Sequence, residues 1–287
     1  MSAPPALRVR FWGVRGSHPV PGPSTARVGG NSSCVEVVAG GRTLIFDAGT
    51  VIIGLGNALL ERNSDHAVHI FLSHTHHDHI EGLRFFQPVY QPEWRCVLYG
   101  AGRGPAAVER VFAAVMRPAL FPVALSELPT PPVFRALGKR AHIRFPGRPP
   151  VEVLAQHSQA HPKIGVMLYR VTCKGRSVVY TTDIEAPHGG HNDVVEIARG
   201  ADVLIHDAQY TDEEYSGGAL IKAGWGHSTI RMAAEAAREA KAGELILYHH
   251  DPSHSDAEMR RIERMAKRIF PRSRVATEGL ELQLSPR

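Results

Sequence analysis

The sequence predicts a layered α/β sandwich, and three observations predict it. Alternating segments near the N-terminus read as a β-hairpin, strands alternate with helices through the second half, and the helices carry their apolar residues on one face. The hairpin joins Cys34-Val-Glu-Val-Val38 to Arg42-Thr-Leu-Ile-Phe46 across Ala39-Gly-Gly41 and ends in Asp47-Ala-Gly-Thr50. Val68-His-Ile-Phe-Leu72 is a short apolar run, a buried strand that delivers a histidine-rich loop at its carboxyl end. Further strands are expected at Val97–Tyr99, Val151–Ala155, Val166–Val171, Ser177–Thr181, Ala201–Ile205 and Leu245–Tyr248. One helix runs from Pro105 to about Met116, with Pro at its first position and Val108, Val111, Phe112 and Val115 on one side. A second spans about Asp193–Arg199, capped by Asn192 and stopped by Gly200. A third starts at Ser228 or Thr229 and spaces Ile230, Ala233, Ala234 and Ala237 helically. The last opens on the capping box Ser255-Asp-Ala-Glu258, carries Met259, Ile262, Met265 and Ile269, and stops before Pro271.

The 287 residues are read as one domain, 1–287, without repeats. Eleven of the 21 prolines fall between Pro88 and Pro150, so the stretch at about 87–150 is expected to be an insertion, a lid or a dimer-forming flap. Thr43–Leu60 is long and nearly uncharged, but it holds Asp47 and three glycines and is not read as a membrane span. Lys and Arg number 33 against 28 Asp and Glu, a net charge of +5 with an isoelectric point of 9.3. That favours anionic partners, yet no block of like charge marks a nucleic-acid or membrane tail. Cys34, Cys96 and Cys173 are odd in number and far apart, which excludes a disulfide framework and a CxxC metal knuckle. With no secretory apolar run near the N-terminus, a cytoplasmic protein is expected.

Seventeen histidines outnumber both Phe and Tyr, and six of them lie between His66 and His79. His74-Thr-His76-His-Asp78-His79 puts imidazoles and a carboxylate on one turn, a nitrogen and oxygen donor set that suits a divalent cation such as Zn²⁺, with Mn²⁺ and Fe²⁺ as alternatives. One loop cannot complete a two-ion centre, since each ion needs three or four protein ligands. Candidates at other strand ends are His161, Asp183, whose two oxygens suit a bridge, and His249. His157 competes with His161 and His250 with His249; the latter of each contest keeps the closer register with its strand.

The HxHxDH loop followed by His, Asp and His at successive strand ends resembles the metallo-β-lactamase-fold hydrolases, over nearly the whole chain. The resemblance implies a four-layer αββα sandwich binding two divalent metal ions. It implies that His74, His76 and His161 hold one, that Asp78, His79 and His249 hold the other, and that Asp183 bridges. Asp47 then matches a carboxylate that holds the histidine loop by hydrogen bonds. Leu204-Ile-His-Asp207-Ala-Gln-Tyr210 and Gly224-Trp-Gly-His227-Ser-Thr229 look like the acid and histidine pair of the phosphodiesterase branch, which includes tRNase Z and cyclic nucleotide phosphodiesterases. Phosphodiester hydrolysis expels an alkoxide that needs a proton. His227 is positioned to donate it and Asp207 to orient His227, so that Asp78, Asp207 and His227 form the expected catalytic set.

Only 21 residues separate His161 from Asp183, too few for the tRNA-gripping arm inserted there in tRNase Z, and 65 separate Asp183 from His249. A small phosphodiester substrate is therefore favoured. Arg10-Phe-Trp-Gly-Val-Arg-Gly-Ser17, Gly29-Gly-Asn-Ser-Ser-Cys34 and His249-His-Asp-Pro252 look like a bacterial subgroup similar to the anti-Pycsar enzymes, which open cyclic mononucleotides. In that reading Arg15, Asn31, Ser32 and Ser33 either line a phosphate pocket or shape a loop. Trp225 either packs or stacks on a base. A homodimer is expected on family resemblance and the Pro-rich stretch. The rival functions are an RNA nuclease of tRNase Z type, a thioester or lactam hydrolase on the same fold, and a non-enzymatic protein retaining its metals.

Overall fold

A computed structural model describes residues 4–62, 66–217 and 220–287. The chain begins with β1 (Leu7–Gly13), β2 (Cys34–Ala39), β3 (Arg42–Phe46), α1 (Ile52–Glu61), β4 (Ala67–Phe71), β5 (Arg95–Ala101), α2 (Pro105–Val115) and β6 (Val133–Leu137). It continues with β7 (Arg140–Phe145), β8 (Val151–Ser158), β9 (Val166–Cys173), β10 (Arg176–Thr181), α3 (Gly190–Ala198), β11 (Val203–Asp207), α4 (Asp212–Ser216) and α5 (Ile230–Glu239). β12 (Glu244–Tyr248), α6 (Asp256–Ile269), β13 (Ser273–Val275) and β14 (Glu281–Leu284) complete it. Two sheets result, ordered β14-β1-β2-β3-β4-β5-β6 and β13-β12-β11-β10-β9-β8-β7. Each is antiparallel on one side and parallel on the other, with β3 to β6 parallel in the first and β10 to β13 parallel in the second. No described helix is long and apolar enough to cross a membrane.

Both faces of the first sheet are covered, which explains why Val68–Leu72 reads as an apolar run interrupted only by His69. Ile45, Val68, Ile70 and Leu98 belong to the layer shared with α1 and α2, whereas Leu44, Phe46, Phe71 and Tyr99 belong to the core between the sheets. α3, α5 and α6 supply Val194, Ala233, Ala237, Met259 and Ile262 to the second sheet's side of that core. The chain is thus a four-layer αββα sandwich. Phe71 sits at the centre, stacked on Tyr99 at 4.4 Å and Phe46 at 5.3 Å, with the edge of Tyr169 at 5.4 Å. Phe71→Ala is expected to cost about 3–5 kcal/mol, because a rigid aromatic cage cannot collapse on the cavity. A denaturant midpoint that falls without a change in slope would show it.

Three helices differ from their sequence reading, one of them the short α4, which the sequence reading does not expect. α1 was not foreseen, because Gly54 and Gly56 lower helix propensity within Thr43–Leu60; tertiary packing overrides this by burying Ile52, Leu55 and Leu59. Gly56 permits close approach, since a Cβ there would lie 3.0 Å from Phe86 and 3.1 Å from Pro88. α3 starts earlier than Asp193, after Gly189 in the left-handed region at φ 90° rather than after an Asn192 cap. The capping box of α6 forms as expected: Ser255 Oγ accepts from Glu258 N–H at 3.3 Å and Glu258 Oε2 accepts from Ser255 N–H at 2.9 Å. The Pro-rich stretch at 87–150 contains β5, α2, β6 and β7, and β5 and β6 extend the first sheet.

Candidate metal centre

The carboxyl ends of parallel strands from both sheets meet at one edge of the sandwich, where open α/β sheets place their ligands. β4 feeds the loop with His74, His76, Asp78 and His79; β10 leads to Asp183, β11 ends in Asp207, and His249 follows β12. Asp47, Asp183 and His249 take left-handed backbone at φ 60°, 50° and 59°. Three non-glycine residues in that region at adjoining strand ends are a local cost tolerated where side chains must be aimed.

The expected ligands converge. His76 Nδ1 lies 3.2 Å from His161 Nε2, and these atoms with His74 fall within 4.8 Å of one another. In a second group Asp78 Oδ2 is 3.1 Å from His79 Nε2 and 3.2 Å from His249 Nε2, and the two imidazole nitrogens are 3.2 Å apart. Asp183 lies between the groups, with Oδ2 at 3.2 Å from both His79 and His249 Nε2 and Oδ1 at 3.6 Å from His74 Nε2.

The partners behind these rings assign their protons. His79 Nδ1 faces Asp47 Oδ2 at 2.8 Å, His249 Nδ1 faces Gln209 Oε1 at 2.8 Å, and His161 Nδ1 faces the Gly226 carbonyl at 3.2 Å. Ser73 Oγ donates to Asp47 Oδ2 at 2.7 Å, so its lone pair is left to accept from His74 Nδ1 at 3.1 Å. These four rings therefore donate outward and turn an Nε2 lone pair inward, while His76 presents Nδ1, and His74 Nε2 is buried without a hydrogen-bond partner. A dry pocket lined by lone pairs and carboxylate oxygens repels itself unless positive charge enters it. Burial alone disfavours a charged His79, but Asp78, Asp183 and Asp47 outweigh it and raise its pKa well above the usual value. Burial likewise opposes ionisation of Asp183, yet His249, His79 and His74 hold its carboxyl well below the ordinary range. Protons thus occupy a cluster whose donor set, spacing and tautomers fit two divalent cations.

Asp47 accepts from Ser73 N–H, Ser73 Oγ, His79 Nδ1 and Tyr180 Oη, joining the inter-sheet core to the histidine loop. Asp47→Asn places an amide donor among these donors, and metal affinity is expected to fall about 10–100-fold. Competition with a chromogenic chelator measures it.

Beside the ligands, His227 Nδ1 faces Asp207 Oδ2 at 2.8 Å and its ring stacks on His249 at 5.1 Å. Burial would suppress charge on His227, but Asp207 prevails and its pKa is raised to about 9. Asp207 also accepts from the N–H groups of Asp183, Gln209 and Ser228 at 3.0, 3.2 and 3.0 Å. All the expected site residues thus lie in one cluster. Of the competitors, His157 Nδ1 pairs with Gln159 Nε2, and His250 faces the Ala276 carbonyl at 2.9 Å, where burial lowers its pKa to about 3.

The glycine-rich loop proves architectural. Arg15 is fully buried against the carbonyls of Gly29, Asp251 and His254, Asn31 bonds Glu278, and Ser32 bonds Glu81. Trp225 is 48% exposed. Sequence reading missed Gln209 behind His249 and Ser17, whose N–H donates to Asp78 Oδ2 at 2.8 Å. A signal existed for Ser17 in the preceding glycine, because a Cβ on Gly16 would lie 2.4 Å from the His249 ring.

A family model described as a beta-lactamase superfamily domain matches residues 42–250, which contain all seven candidate ligands together with Asp47, Asp207, Gln209 and His227. The chain belongs to that superfamily. Among beta-lactamase superfamily relatives, the Ribonuclease Z of Archaeoglobus fulgidus is 39% identical over 112 residues, 39% of this chain and 34% of that protein. The aligned stretch spans about a third of the length of the first curated relatives. The Ribonuclease Z of Bacillus subtilis is 26% identical over 257 residues, covering 75% of this chain and 80% of that one. The metallo-beta-lactamase fold protein YhfI from Bacillus subtilis superposes with a TM-score of 0.69 at 20% identity, over 96% of this chain and 98% of that one. The superfamily fold is thus shared across both sheets.

Proposed function

We propose that the chain is a metal-dependent phosphodiesterase with two ions, zinc first among the candidates, acting on a small phosphodiester and most readily a cyclic nucleotide. The observation that carries this reading is the Asp207–His227 pair set directly beside Asp183 and His249. Hydrolysis of a thioester has less need of such a donor, because a thiolate leaves without a proton, whereas an expelled alkoxide requires one. When bound, divalent ions supply Lewis-acid polarisation of the phosphate and a nucleophile available at neutral pH. The chain does the rest. His74, His76 and His161 would hold one ion and Asp78, His79 and His249 the other, with the Asp183 carboxylate between the two groups. Ser17 N–H and Gln209 orient Asp78 and His249. Asp207 keeps the His227 ring turned and charged, so that its Nε2 proton passes to the leaving oxygen.

Beside His74 lies a partly open pocket of about 140 Å³, lined by Leu72, Ser73, Thr75, Val108, Val111 and Ile164, and its size supports a small substrate. The relatives' name, Ribonuclease Z, favours a second reading, cleavage of structured RNA. The three buried, unpaired cysteines suit a reducing cytoplasm, and exposed Phe85 and Leu120, beside and within the Pro-rich stretch, suit a homodimer. The test is hydrolysis of 3′,5′- and 2′,3′-cyclic nucleotides, bis-p-nitrophenyl phosphate, pre-tRNA and a thioester by protein reloaded with Zn²⁺ or Mn²⁺. Turnover of a cyclic nucleotide is expected. Cleavage of pre-tRNA alone, with steep salt dependence, would favour the second reading, and cleavage of the thioester alone would overturn both.

A further inference from the structure

Three segments bring groups to this centre from the second sheet: the loop before β9 with His161, the turn after β10 with Asp183, and the loop before α5 with His227. They are distant in sequence, and one residue binds all three. Glu185 is fully buried, two positions beyond Asp183. Its N–H donates to the carbonyl of Ala160, the residue before His161, at 3.0 Å. Its Oε1 accepts from Gly224 N–H at 2.6 Å and from Tyr215 Oη at 2.5 Å, and its Oε2 accepts from Gly226 N–H at 2.9 Å. Gly226 in turn offers the carbonyl that faces His161 Nδ1, and it precedes His227. The loop passes so close that a Cβ on Gly226, at φ 94°, would lie 2.4 Å from that nitrogen.

We propose that Glu185 is a positioning residue for the metal centre. By holding the peptides on either side of Trp225, it keeps the Gly226 carbonyl on His161 Nδ1 and so leaves the His161 Nε2 lone pair to an ion. The loop needs such a tie because its apolar side chains do not anchor it: Leu220, Ile221 and Trp225 are 60%, 62% and 48% exposed. A carboxylate suits the task, since three donors converge on it and an ionised carboxylate offers only acceptors. The inference rests on the metal centre of the proposed reading and not on its substrate.

In Glu185→Gln an amide NH2 faces those donors, the loop bonds are lost on one side, and the His161 ring is released. Zinc binding by the folded variant, followed by chelator competition, is expected to show one of two ions weakened about 10–100-fold and the other unchanged. A purely structural role would lower the melting temperature and leave both affinities alone, which overturns the proposal. Should E185Q not fold, ring-nitrogen NMR of the zinc-loaded wild-type protein decides. His161 must carry its proton on Nδ1 and its ion on Nε2, and zinc on Nδ1 overturns the proposal. Both readouts are blind to substrate. Selective loss of one ion in a protein that cleaves no phosphodiester would keep Glu185 in its role and remove only the proposed reaction.

Discussion

Asp183→Asn is expected to abolish two-ion binding and to lower phosphodiesterase turnover by about 10³-fold, the equivalent of several kcal/mol of lost transition-state stabilisation. Asn is the informative replacement because it keeps the side-chain shape and tolerates the left-handed backbone that Asp183 adopts at φ 50°. Only charge and donor character change. One carboxylate oxygen faces His79 and His249 and the other faces His74; an amide can present an oxygen to one group only, and its NH2 cannot ligate. The hydrogen bond from Asp183 N–H to Asp207 is untouched, so the proposed general acid His227 keeps its support. Metal analysis after gel filtration, beside steady-state turnover, reads both effects. Two ions bound with unchanged affinity would remove Asp183 from the link between the sites.

That such a prediction was within reach of the sequence reflects how the site is built. The HxHxDH loop is legible because its four candidate ligands lie within six residues on one turn. α5 and α6 are legible for the same reason: Thr229 and Ser255 cap the helix they begin. Residues defined by distant neighbours are not. β1 pairs with β14 at Leu7 and Leu284, a register that no local pattern encodes. β6 and β7 are hidden by flanking prolines, and α1 by two glycines whose value lies in what packs on them. Gln209 and Glu185 look like ordinary polar residues until the donors around them are known. Asp183 and His249 are legible as candidate ligands at strand ends, whereas the tautomers that aim the rings inward come from Asp47, Gln209 and Gly226, far away in the chain.

His227→Ala is expected to leave both ions bound while lowering turnover of an alkyl phosphodiester or cyclic nucleotide about 10²–10⁴-fold, the usual contribution of a positioned general acid. The ions are spared because the ring's hydrogen bond runs to Asp207, not to the two ligand groups, and Asp207 keeps its three backbone donors. The penalty should shrink sharply for bis-p-nitrophenyl phosphate, whose phenolate leaves without a proton. pH supplies the sign. With its pKa raised to about 9, His227 is protonated at neutral pH, so turnover of the alkoxide-releasing substrate holds below that value and falls as pH rises through it. The same limb is absent from His227→Ala and weak with the p-nitrophenyl diester, since neither depends on the proton. A ring that merely packed on His249 would give a different pattern: equal losses for both leaving groups and an unchanged pH profile. Equal losses would therefore retire His227 as the proton donor, and with it the observation that separates phosphodiester cleavage from the other reactions open to this fold.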